Sequence, residues 1–228
     1  MSDLVIAIDG PAGAGKSTVA KILARNLDLT YLDTGAMYRC IALKASREGF
    51  GAQDGEAAAA LGRHTVITFG HGNPQPVFLD GEDVTTAIRT QEISDLASAL
   101  SVFPPVRRIL VERQKAMIDA GGVVLEGRDA TTVIAPHAHV KVFLTASLEE
   151  RAKRRLLDLE AHGMDSTYER VRHEVESRDH RDITRDDSPL TVAEDATVIE
   201  SANLSPQEVA ERIEDLVPAE FRAKAAKQ

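Results

Sequence analysis

The chain has 228 residues, 43% hydrophobic and 28% charged, the composition of a globular protein with one sizeable core rather than of a disordered or fibrous chain. Its formal net charge of −9 makes nucleic acid a poor default partner, and Cys40, its single cysteine, excludes an intrachain disulfide and fits a reducing compartment. No apolar run approaches the ~20 residues of a membrane span and no secretory leader precedes the first strand, so a cytoplasmic protein without a membrane partner is expected.

In chain order, Leu4-Val5-Ile6-Ala7-Ile8 is a short, partly β-branched apolar run and reads as a buried strand. Gly10-Pro11-Ala12-Gly13-Ala14-Gly15-Lys16-Ser17 follows, and fits G-x-x-x-x-G-K-[ST] without a mismatch. Residues 18–25 then form an amphipathic helix pattern, with Val19, Ile22 and Leu23 on one side. Tyr31-Leu32-Asp33 ends a second strand, Thr34-Gly35-Ala36 follows, and a helix is expected over 37–46. Cys40 lies in that helix as a structural thiol. Residues 56–62 are alanine-rich and helical. Residues 65–69 and 76–80 read as strands around the turn cluster Gly70-His71-Gly72-Asn73-Pro74, with His71 solvated; Gly81-Glu82 turns the chain again, completing a small antiparallel ribbon.

Helices are expected over 92–102 and 106–120, separated by a break at Phe103-Pro104-Pro105. Val123-Val124-Leu125 is a strand that ends at Glu126-Gly127-Arg128-Asp129, and residues 140–144 form the next. A long helix starts near Ser147 and runs to Glu160, Gly163 interrupts it, and residues 168–181 are helical again. Residues 197–200 form a late strand, Ser205-Pro206-Gln207-Glu208 opens the last helix, and the tail 224–228 frays. About five strands alternating with helices argue for an α/β fold of P-loop NTPase type, a five-stranded parallel sheet flanked by helices, with ligands beyond the C-terminal strand ends. No internal repeat or low-complexity linker is present.

The chemistry starts at the glycine loop. Its glycines let successive N–H groups face phosphate oxygens, and the following helix N-terminus adds a favourable dipole. Lys16 reaches the terminal phosphates of a nucleoside triphosphate, and Ser17 places a hydroxyl on the Mg²⁺ that accompanies it. Three further clusters can complete a site. In Asp33-Thr34-Gly35-Ala36-Met37-Tyr38-Arg39, Thr34 and Tyr38 offer hydroxyls and Arg39 a phosphate clamp; equally, Asp33 or Thr34 caps a helix and Arg39 is solvated. In Glu126-Gly127-Arg128-Asp129, a carboxylate and a guanidinium at a strand end can order Mg²⁺, a base edge or a phosphate. Arg151, Arg154, Arg155, Arg170, Arg172, Arg178, Arg181 and Arg185, with Asp179, Asp182, Asp186 and Asp187 interleaved, make either a solvated helix pair or a lid that neutralises a transferring phosphoryl group.

Ile8-Asp9-Gly10-Pro11 through Ser17-Thr18, Leu32 through Arg39, Ile88-Arg89-Thr90-Gln91-Glu92, Val106-Arg107, Glu112-Arg113-Gln114, Glu126 through Asp129, Glu150 through Arg155 and Arg178-Asp179-His180-Arg181-Asp182 together resemble bacterial cytidylate kinases over essentially the whole chain. The resemblance implies a nucleoside monophosphate kinase with a core (1–36, 85–148, 186–228), a monophosphate-binding region carrying the β insert (37–84) and an arginine-rich lid (149–185). It implies ATP bound by Gly10, Pro11, Ala12, Gly13, Ala14, Gly15, Lys16, Ser17, Thr18, Arg151 and Arg155. It places Ser98, Arg107 and Asp129 on the cytosine edge, Thr34, Tyr38, Arg39 and Arg128 around the acceptor phosphate, and Arg178 and Asp182 on the sugar. Lys16, Arg128, Arg154 and Arg185 become the cations of phosphoryl transfer. An Asp accepting from the cytosine amino group, with an Arg donating to the carbonyl, is chemically apt for C over U. The family pattern continues with Met-Gly-Thr where this chain has Ala130-Thr131-Thr132.

The expected reaction is ATP plus CMP or dCMP giving ADP plus CDP or dCDP, by a monomer in pyrimidine metabolism. UMP, AMP or shikimate are the alternative acceptors. A phosphate-loop switch is the alternative of a different class, but the Asn-Lys-x-Asp guanine-reading motif of GTP-binding switches is absent.

Overall fold

The computed structural model describes residues 3–70, 72, 74–161 and 163–225; His71 and residues 226–228 of the expected frayed tail lie outside these. Two compact units make up the chain, Met1–Leu32 with Met117–Gln228, and Asp33–Ala116. The elements in chain order are β1 (Val5–Asp9), α1 (Lys16–Asn26), β2 (Thr30–Asp33), α2 (Thr34–Arg47), α3 (Gly55–Arg63), β3 (Ile67–Phe69), β4 (Val77–Leu79), β5 (Glu82–Asp83), α4 (Gln91–Leu100), α5 (Pro104–Ile118), β6 (Val123–Glu126), β7 (Val140–Thr145), α6 (Leu148–Ala161), α7 (Tyr168–Thr184), β8 (Thr197–Glu200), α8 (Pro206–Glu214) and α9 (Ala219–Ala225).

The larger unit is built on a sheet of order β2-β6-β1-β7-β8. β1 pairs in parallel with both β6 and β7, and β7 with β8. Ile6 and Ile8 of β1, Val124 of β6 and Val142 and Leu144 of β7 are buried together with Val19, Ala20 and Leu23 of α1 and Val209, Ala210 and Ile213 of α8. β-Branched and leucine side chains on central strands are thus covered by the apolar stripes of two helices, which is the burial a parallel sheet requires. A second, smaller cluster joins Leu159 of α6 with Val171 and Val175 of α7 and reaches Ala12 of the glycine loop. Pro206 stands in the first turn of α8 as expected, where Ser205 and Glu208 also form a reciprocal capping box, but α8 is not the last helix, because α9 follows and takes in residues 224–225 of the expected frayed tail.

In the smaller unit, β3, β4 and β5 form an antiparallel three-stranded sheet. Cys40 of α2 is fully buried, and burial pushes its thiol up to about 12, the behaviour of an inert structural residue. Among the described residues no helix is long and apolar enough to cross a membrane.

Four local expectations change. α2 begins at Thr34 rather than Met37, because Asp33 accepts from the Ala36 N–H at 2.8 Å and caps the helix three residues earlier. The break between α4 and α5 lies at residues 101–103, and Pro104 and Pro105 open α5 two residues earlier than expected, since first-turn prolines lack only donors that would be unpaired there. Glu82 continues into a strand rather than a turn. Residues Ala130–Ile134 form a single π turn directly after Asp129, a rare geometry that no periodicity in five residues can announce.

Candidate active site

β1 delivers the chain to Gly10, which has φ +146°; a Cβ there would lie 1.9 Å from the Leu144 carbonyl oxygen. At Gly13, with φ +78°, a Cβ would meet the Arg151 carbonyl oxygen at 2.8 Å. Neither place admits an L side chain. The loop closes onto α1, whose N-cap is Gly15 in the left-handed region with no side chain accepting from the first N–H groups. Such donors, together with the helix dipole, suit an anion.

Lys16 is only 4% exposed, and its Nζ donates to the Pro11 carbonyl at 2.8 Å. Burial, and secondarily the charge of Arg128, lowers its pKa to about 7. Ser17 Oγ donates to Glu126 Oε1 at 2.6 Å, and the Tyr31 hydroxyl donates to the same oxygen at 3.2 Å. A serine hydroxyl beside a carboxylate is the hard oxygen pair Mg²⁺ takes when nucleotide phosphates complete its shell, so the residues present fit that cation.

Arg128, in the loop after β6, donates from Nε to Asp182 Oδ2 at 2.7 Å. Arg185 donates to the other Asp182 oxygen at 3.4 Å. Burial by itself would raise the Asp182 carboxyl; Arg128, Arg178 and Arg185 outweigh it and hold the group below its ordinary value. The candidate residues Arg128, Arg178, Asp182 and Arg185 are therefore brought together, and the fields of Arg128 and Arg178 extend to Lys16.

Arg151, Arg154 and Arg155, the other candidate arginines of this unit, have protein partners. Arg151 pairs with Asp179 and donates to the carbonyl oxygens of Ala12 and Ala146, each at 3.0 Å. Asp179 in turn accepts from the Ala12 N–H at 3.1 Å. Ala12 is thus gripped through both its donor and its acceptor. Arg154 donates to the Ser201 hydroxyl at 2.9 Å and to its carbonyl at 2.6 Å, and Arg155 pairs with Asp158 at 2.8 Å.

In the smaller unit Asp33 receives Arg39 at 2.9 Å and Arg89 at 3.1 Å besides capping α2. Burial would raise its carboxyl, but the two guanidiniums hold it below the usual range. Arg39 is therefore held rather than freely solvated. Thr34 is buried in the first turn of α2. Arg107 of α5 is 1% exposed, lies 5.9 Å over the Tyr38 ring and donates to the Ser101 carbonyl at 3.3 Å. Ser98 is buried on α4.

Sequence reasoning did not single out Asp9, Tyr31, Asp179 or Ser201, which hold the loop and its neighbours in place. Asp9 and Asp179 sit inside recognisable motifs, but only their hydrogen bonds, to residues 121 and 167 positions away, distinguish them from ordinary acidic residues.

The cytidylate kinase family model matches residues 6–219. The chain is 49% identical over 208 residues to the cytidylate kinase of Desulforamulus reducens, covering 91% of this chain and 94% of that one. It is 47% identical over 211 residues to the cytidylate kinase of Desulfitobacterium hafniense, covering 92% and 91%. A solved structure of an uncharacterized protein from Eubacterium ventriosum shares the fold at a TM-score of 0.51 and 12% identity, over 95% of this chain and 98% of its own.

Proposed function

The chain belongs to the cytidylate kinase family, and on that premise we propose that it transfers the γ-phosphoryl group of ATP to CMP or dCMP, releasing ADP and CDP or dCDP. The observation that carries the reading is the glycine loop with its buried, charge-starved Lys16 beside Ser17 and Glu126. A triphosphate arriving there supplies the counter-charge that Lys16 lacks. Residues 10–18 surround the phosphates, with backbone N–H groups offered from Gly13 onward, since Pro11 has none and that of Ala12 goes to Asp179. Ser17 and Glu126 would hold Mg²⁺, which would screen the phosphate charge.

The acceptor phosphate is received by Thr34, Tyr38, Arg39 and Arg128, the sugar by Arg178 and Asp182, and the cytosine edge by Ser98, Arg107 and Asp129. Arg128, Arg185 and Lys16 stabilise the transferring group, with Arg154 and Arg155 from the helical pair 149–185 acting as a lid that excludes water. Arg151 acts through the loop, since its guanidinium spans Ala12 and Asp179. The acceptor oxygen of a monophosphate is already a competent nucleophile, so positioning and charge, rather than a strong base, carry the rate. The lone buried cysteine suits a reducing cytoplasm, and the enzyme works there as a monomer.

The test is ADP release with ATP–Mg²⁺ and CMP, dCMP, UMP, AMP, GMP or shikimate in parallel. Turnover strongest with CMP and dCMP is expected. Turnover strongest with another acceptor overturns the base-reading assignment of Ser98, Arg107 and Asp129, and hydrolysis indifferent to every acceptor overturns the kinase reading.

A further inference from the structure

Asp9 is the last residue of β1, and the next residue opens the glycine loop. Its side chain is wholly buried and accepts three hydrogen bonds from a segment 121 to 122 positions further along. The Ala130 N–H donates at 2.8 Å, the Thr131 N–H at 2.7 Å and the Thr131 hydroxyl at 2.6 Å. Both N–H groups belong to the first turn of the π segment Ala130–Ile134, where no donor has a partner within the turn. Asp9 therefore caps this turn from another strand.

Asp129 sits immediately before it. Its carbonyl accepts from the N–H groups of Val133 at 2.9 Å and Ile134 at 3.0 Å. The backbone of Asp129 is thus held on its carbonyl side by the turn it starts, and the two peptides that follow it are held by Asp9. Thr131 is 1% exposed and is not among the described residues with positive φ, so a β-branched side chain fits here without backbone strain. Its hydroxyl adds a third donor to a carboxylate that two N–H groups alone would leave under-satisfied in a dry site.

We propose that Asp9 and Thr131 are positioning residues for acceptor recognition, a brace that fixes the direction of the Asp129 carboxylate relative to the strand that carries the phosphate loop. The inference rests on the base-reading role of Asp129. It separates two tasks in one short motif, with Asp129 touching the acceptor and Thr131 acting through Asp9. A hydroxyl-free residue at 131 leaves the fold and the glycine loop in place but lets the π turn shift, and the loss falls on the acceptor.

Steady-state kinetics on Thr131→Val, Thr131→Ala, Thr131→Ser and Asp129→Ala test this, with CMP and UMP as acceptors and the melting temperature recorded for each. Thr131→Val and Thr131→Ala are expected to raise KM for CMP roughly tenfold, to shrink the CMP-over-UMP ratio of kcat/KM by a similar factor, and to leave KM for ATP within about twofold. Thr131→Ser, which keeps the hydroxyl, restores both. Asp129→Ala raises KM for CMP further and leaves KM for ATP alone. If Asp129→Ala leaves KM for CMP unchanged, the base-reading role falls. If Asp129→Ala acts as expected but both hydroxyl-free variants match the parent, or raise the two KM values alike, or Thr131→Ser fails to rescue, the brace falls and the base-reading role stands.

Discussion

Replacing Lys16 by methionine should stabilise the ligand-free protein while abolishing nucleotide binding. The cost of Lys16 can be worked from its site. Its pKa falls from 10.5 to about 7, chiefly by burial and then by the Arg128 charge, and a drop of that size corresponds to about 5 kcal/mol of unfavourable charging in the folded state. Methionine keeps the length of the side chain and removes the charge, but it abandons the 2.8 Å bond to the Pro11 carbonyl, worth about 1–3 kcal/mol if that oxygen is left unsatisfied. The variant is therefore expected to be about 2–4 kcal/mol more stable at pH 6. The pH dependence has a definite sign. Below pH 7 the lysine is protonated in both folded and unfolded chains, and its full cost is present. Between pH 7 and 10.5 the unfolded chain binds more protons, so the parent gains stability as pH rises and the gap to the variant narrows by up to about 1.4 kcal/mol per pH unit. Urea unfolding of both proteins at pH 6, 7, 8 and 9, without nucleotide, reads this directly. A gap that stays constant across that range, or a Lys16→Met protein less stable than the parent at pH 6, would refute the view of Lys16 as a buried cation held in a costly state until a phosphate arrives.

Two further outcomes follow from the same geometry. Asp179→Ala leaves Arg151 buried without its partner and frees the Ala12 N–H, so a loss of about 3–5 kcal/mol in urea unfolding is expected; saturating ATP should recover part of it by holding the loop, and a change below about 1 kcal/mol would show that the pair contributes little. Glu126→Gln removes the carboxylate charge beside Ser17 while keeping an oxygen for its hydroxyl; the Mg²⁺ concentration for half-maximal activity should rise roughly tenfold with KM for CMP unchanged, and an unaltered Mg²⁺ titration would remove Glu126 from the metal's shell.

The amino-acid sequence by itself determined the strand–loop–helix start, the alternation of strands with helices and the glycine loop that ends in Lys16 and Ser17. These are legible because each rests on a local rule. Gly10 and Gly13 take a positive φ, which glycine adopts locally even though the atoms that crowd them come from Leu144 and Arg151 far along the chain, and the apolar runs of β1 and β6 with the alternation of β7 mark strands of a buried sheet. The start of α8 at Pro206 is equally local. Tertiary structure alone decided what the charged side chains do. Arg151, Arg154 and Arg185 look alike along the chain, yet the first grips Ala12, the second binds Ser201 and the third meets Asp182. Asp9 and Asp179 look like ordinary acidic residues until strands and helices bring their carboxylates to backbone N–H groups more than 120 positions away. Periodicity reports which face of an element is apolar; it carries no information about which distant donor a buried carboxylate will meet, because that pairing is set by packing and by the cost of leaving a buried charge unmatched.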